Sequence, residues 1–138
     1  MMKRILISSF LVMILLGCEP TQISTEYKTY EQAEEMVQKG WVPPGLPRET
    51  TNIYETHNLD TNKGNGVFTI KQEYVLPFYN ALDEVEKGFV LEKEVLDVKN
   101  WDKKEVYEQI QDDELLLGFE DGIVYAISKD GTVYYWIH

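Results

Sequence analysis

The last quarter of the chain constrains the fold most. Leu115 to Phe119, Ile123 to Ser128 and Thr132 to Ile137 are short β-rich runs separated by Glu120-Asp121-Gly122 and Lys129-Asp130-Gly131. Runs of this length joined by Asp-Gly turns specify an antiparallel meander. Period-2 alternation puts Tyr134 and Trp136 on one face of the final run, Tyr135 and Ile137 on the other. One row is expected in the core; the other either packs too, in the core and at its edge, or is exposed, where tyrosine and tryptophan could anchor a partner or a glycan.

Helix signals lie upstream. Thr29 is placed to cap a first helix, with Gln32 at the capping-box position and Lys39-Gly40 as a C-terminal signature. Tyr30, Ala33, Met36 and Val37 share its apolar stripe, and Trp41 stands where a Schellman motif would fold it back onto Met36. Val42 to Pro47 holds three prolines and is a stiff connector, since each removes a donor and keeps its predecessor extended. Residues 52–74 read as a β-hairpin with Ile53, Glu55, His57 and Leu59 on one side and Asp60 to Gly66 as its turn. Pro77 to Lys87 reads as a second helix with Phe78, Leu82 and Val85 on one face. Phe89 to Val98 fits a strand first and a helix second, and a short helix begins at Asp102. The sum is an α+β fold: a small single domain with an N-terminal helix, a hairpin, one or two further helices and the C-terminal meander.

The N-terminus concerns location. Lys3 and Arg4 precede an apolar run from Ile5 to Leu16, as in a secretory signal. Twelve helical residues span roughly 18 Å, short of a ~30 Å hydrocarbon core. The run ends in Leu15-Leu16-Gly17-Cys18, which resembles a bacterial lipobox. That resemblance implies a diacylglycerol thioether on Cys18, cleavage between Gly17 and Cys18, and acylation of the new amine, with palmitate a usual chain. Two or three acyl chains hold a protein on a bilayer where one does not. Glu19, by similarity to Gram-negative lipoproteins, favours the outer membrane facing the periplasm. The expected organisation is 1–17 signal peptide, 18–28 lipid-proximal tether and 29–138 globular domain.

Cys18 is the single cysteine, so no disulfide can form within the chain and packing must hold the fold. Loss of Lys3 and Arg4 with the signal leaves 11 basic against 24 acidic side chains, a net charge of −13. Such a balance argues against nucleic-acid binding. Asp83 to Asp121 alone carries 14 acids and 5 lysines. The excess either serves solubility or forms a face that steers a basic protein toward it.

Candidate chemistry gathers in Gly40 to Asn62. Asp60, Asn62 and Gly64 begin a calcium-loop spacing, but Asn65 and Lys71 occupy the positions that require glycine and a bidentate acid. Glu55, His57 and Asp60 could form an acid/base or ligand-binding trio, with Trp41 and Asn62 nearby, because alternate strand residues share a face and histidine titrates near neutrality. The alternative is a structural histidine bonded to a neighbouring acid. No zinc ligand set, nucleophile elbow or phosphate loop is present, so no cofactor or metal is expected beyond the lipid.

Gly40-Trp41, Leu46-Pro47, Ile53, Glu55, His57 and Asp60-Thr61-Asn62 resemble a signature of small uncharacterised bacterial lipoproteins, over roughly Tyr30 to Ile70. Glu49-Thr50 departs from it where a small Ser-Ala pair is expected. The resemblance implies a lipid-anchored envelope protein and no particular activity. Three functions are in view: a non-enzymatic module that binds a basic protein, of immunity or inhibitor type; a ligand binder or hydrolase using Glu55, His57 and Asp60; and a structural envelope component. Mass spectrometry of the mature protein is expected to find Cys18 as the first residue, carrying diacylglycerol. An intact precursor with unmodified Cys18 would overturn the anchor.

Overall fold

The computed structural model describes residues 21–137, so Gly17, Cys18 and His138 lie outside the described residues. Among residues 21–137 six antiparallel strands form one sheet in the order β1-β2-β3-β6-β5-β4. They are β1 (Gln22–Thr29), β2 (Thr51–Asn58), β3 (Lys63–Thr69), β4 (Leu116–Glu120), β5 (Ile123–Ile127) and β6 (Thr132–Ile137). Among the described residues four short α-helices accompany them: α1 (Glu34–Gln38), α2 (Val75–Asn80), α3 (Lys87–Leu91) and α4 (Lys103–Gln111). The class is α+β, and the meander β4-β5-β6 joins the hairpin β2-β3 through the β3–β6 ladder.

Both faces of the sheet are covered. On one, Ile53, Phe68, Tyr125, Val133 and Tyr135 pack with Ala33, Val42, Leu46 and Val75 from the turns that flank α1 and from α2. On the other, Val67, Val124, Ala126 and Trp136 pack with Val90, Trp101, Val106 and Ile110 from α3, α4 and the segment between them. Of the two readings of the β6 rows, packing holds and exposure does not: Tyr135 is fully buried and Trp136 is 2 % exposed, one in each core. Trp101 meets Trp136 edge to face, with centroids 4.9 Å apart.

The polar tether is also corrected. Gln22–Thr29 is a full edge strand, paired from Gln22↔Asn58 to Thr29↔Thr51. Its half-buried row is Ile23, Thr25 and Tyr27, and Ser24, Glu26 and Lys28 face out, so the ordered fold begins before residue 29. An edge strand with one wet face needs little apolar content.

The first helix is shorter than its pattern suggested: a 3₁₀ turn (Glu31–Ala33) followed by five residues of α1. Thr29 does accept a bond from the Gln32 amide (3.3 Å), but the Gln32 side chain accepts from Lys28 rather than closing the box on Thr29. Its C-terminus is a Schellman motif. Gly40 has φ +84°, its amide reaches the Val37 carbonyl (3.1 Å), and the Trp41 amide reaches that of Met36 (2.9 Å). The proline connector then closes on Thr50, whose amide and hydroxyl both donate to the Pro47 carbonyl.

Two further readings change. The helix expected over Pro77 to Lys87 divides into α2 and α3, because Asp83 leaves the helix to exchange two 2.9 Å backbone bonds with Phe119 on the outer edge of β4. Over Phe89 to Val98 the first part is helical, in α3, where a strand was expected, and the second is irregular, where a helix was expected. The helix predicted from Asp102 is present as α4, with the Asp102 carboxylate accepting from the Glu105 amide at 3.0 Å.

Gly66 is the tightest point of the central ladder. A Cβ there would lie 2.5 Å from both the Tyr135 hydroxyl and the Tyr54 carbonyl oxygen. Gly66→Ala should therefore cost roughly 1–3 kcal/mol, as overpacked cores do, read as a lower urea midpoint at unchanged slope. An unaltered midpoint would show that the strand yields without penalty.

Candidate functional site

β2 is an interior strand, and its alternation points Ile53, Glu55 and His57 into the face that carries α1. Leu59 lies past the end of the strand and does not continue the row. Glu55 is 1 % and His57 3 % exposed. A buried charge must be paired or lose its proton. Here the His57 Nδ1 lies 2.9 and 3.1 Å from the two Glu55 carboxylate oxygens, and the Thr25 hydroxyl on β1 donates to Glu55 Oε1 at 2.5 Å. Donation to a carboxylate requires the proton on Nδ1, whether the ring is neutral or charged.

Trp41 roofs the pair. Its ring stacks on His57 with centroids 4.3 Å apart and planes within 9°. The Schellman turn sets the Trp41 backbone, and the ring stacks on β2. Space for it comes from β3, where Gly64 pairs with His57 and Gly66 with Glu55. A Cβ on Gly64 would stand 3.0 Å from the indole. The Tyr135 hydroxyl, from β6, donates to the Trp41 carbonyl at 2.9 Å and ties the roof to the sheet.

Burial is the largest influence on Glu55 and raises its carboxyl above the usual range, against the lowering effect of the bonds from Thr25 and His57. The Tyr135 hydroxyl is held well above its ordinary value, by burial first and then by the nearby Glu55 charge.

The five residues singled out from the sequence divide. Trp41, Glu55 and His57 come together. Asp60 and Asn62 do not join them, and both lie exposed in the β2–β3 turn. That turn is organised by Asn58, whose side-chain oxygen accepts from the amides of Asp60 and Thr61. Asn62 takes the left-handed conformation (φ +57°) and lines a cleft of about 620 Å³ with Lys63, Glu94 and Trp136. The segment read as turn through Gly66 is strand from Lys63 onward. Thr25, Gly64, Gly66 and Tyr135 were missed; the glycines two apart in a strand were the available signal of close approach. Among the described residues no group of three or more acids, histidines or cysteines is placed to hold a metal.

The arrangement sets a pH dependence. A carboxyl whose proton is held more tightly when folded contributes stability that is full below its unfolded value, near 4.5, and is lost as pH rises through the higher folded value. The stability of the natural protein relative to Glu55→Gln should therefore fall as pH rises from about 4.5 toward neutrality. Urea midpoints of the two proteins, taken across that range, check this; parallel curves would contradict it.

A family model described as the YbbD head domain matches residues 21–69. The match runs from the residue before β1 to the end of β3 and takes in Thr25, Trp41, Glu55, His57, Gly64 and Gly66, but not Tyr135. No curated protein and no solved structure matches the chain.

Proposed function

We propose that the chain is a bacterial envelope lipoprotein, held by lipid on Cys18 in the outer membrane and facing the periplasm, that acts without enzymatic activity by binding a basic protein. The head-domain match is compatible with an envelope protein. The observation that carries the binding reading is where the acids fall. Residues 83–87 run along the outer side of β4, joined by the Asp83–Phe119 bonds at one end and by Lys87 to Asp113 (2.9 Å) at the other. This edge brings together Asp83, Glu84, Glu86, Asp112, Asp113, Glu114, Glu120 and Asp121, all exposed, against Lys87 alone in the same two segments. A single-sign strip of that kind steers and orients a cationic partner. An inhibitor or immunity role is one form such binding could take.

A ligand-binding or hydrolytic role for Glu55, His57 and Asp60 is less well supported. The pair lies under Trp41, and Asp60 stands apart from it.

Captured basic envelope or secreted proteins should bind the purified protein at about 0.1 M salt and release by about 1 M, where the screening length falls from about 10 Å to about 3 Å. The triple substitution Glu84→Lys, Glu114→Lys, Glu120→Lys should abolish capture while leaving the urea midpoint nearly unchanged. Capture that ignores both salt and charge reversal would rule out the acidic edge as the binding surface.

A further inference from the structure

The strands define two ends of the sheet. Gln22, the β2–β3 turn at 58–63, Ile137 and the turn before Ile123 lie at one end; Thr29, Thr51, Thr69 and the turn at 128–131 lie at the other. At the first end stands Leu59, 56 % exposed and part of neither core. Its neighbours Asn58, Asp60, Thr61 and Asn62 are the polar residues a turn calls for, so Leu59 is the one large apolar side chain of this turn. Its amide donates to the Thr21 carbonyl at 2.8 Å, which fastens the turn beside the point where the chain enters the sheet.

Cys18 is three residues before Thr21. Three residues extend at most about 10–11 Å, and the headgroup layer of one leaflet is roughly 5–8 Å deep. Resting on the lipid anchor proposed above, we infer that the Leu59 turn is a membrane-contacting surface and that its partner is the bilayer. A turn one hydrogen bond away from Thr21 is therefore held within reach of the headgroup layer. The opposite end of an eight-residue strand lies about 26 Å away along its length. Lys63, which closes the same turn, has its ammonium paired with Glu94 and adds no free cation to this end. Asp60, Glu120 and Asp121 share this end, so the surface suits zwitterionic rather than anionic headgroups.

The test uses the full lipidated protein in phosphatidylcholine vesicles. The lipid consumes the thiol of the only cysteine, so a spin label can be placed singly at Leu59→Cys or, at the far end, at exposed Lys129→Cys. The label at 59 should favour collision with dissolved oxygen over a water-soluble nickel chelate severalfold more than the label at 129. Protein that floats with the vesicles but gives equal ratios at 59 and 129 overturns the contact and leaves the anchor standing. Protein that does not float overturns both.

Discussion

The β3–β6 ladder is the joint on which the fold depends. Six register pairs, from Gly64↔Ile137 to Thr69↔Thr132, connect the N-terminal three strands to the C-terminal meander across more than sixty residues of chain. Closing so long a loop is entropically costly, though the cost grows only slowly with length. The return is a six-stranded sheet in which both faces of β3, β5 and β6 are buried. The short helices need no great stability of their own, because they are held by what they cover. Tyr135 shows the economy of the joint: one residue of β6 fills the first core, occupies the space left by Gly66 and bonds the carbonyl beneath Trp41.

Glu55 and His57 sit beside that joint, on β2, opposite Gly66 and Gly64 of β3. A carboxylate and an imidazole in contact with each other, with a threonine hydroxyl on one side and an indole above, form a satisfied polar island in an apolar face. Removing one member would strand the other, and that penalty exceeds what the pair contributes over an apolar replacement. Such a pair specifies register: a slip of β2 by one residue would turn Glu55 and His57 toward the opposite core.

Legibility in the sequence followed the range of the interactions. The meander, the hairpin, the Gly40 helix end and the Asp102 cap were readable because each rests on residues within a few positions of one another. β1 was not, since Ile23, Thr25 and Tyr27 form a weak alternation whose meaning depends on β2, about thirty residues away. The division of the second helix depended on Phe119, which Asp83 meets only in the folded sheet. At the site, the Glu55–His57 spacing foretold a shared face, but Trp41 and Tyr135 reach it across the fold. Asp60 misled because closeness in sequence ceases to be closeness in space once the strand ends at Asn58.

The extent of the family match acquires a physical meaning from the sheet order. It ends at Thr69, the last residue of β3, and in space that limit is a row of hydrogen bonds. Domains ordinarily part at exposed linkers crossed by few contacts. Here the boundary follows the side of a strand, so the matched portion is half of a continuous sheet. Severed at that line, it would present β3 as a bare edge together with the uncovered side of Phe68, the kind of surface that recruits another strand.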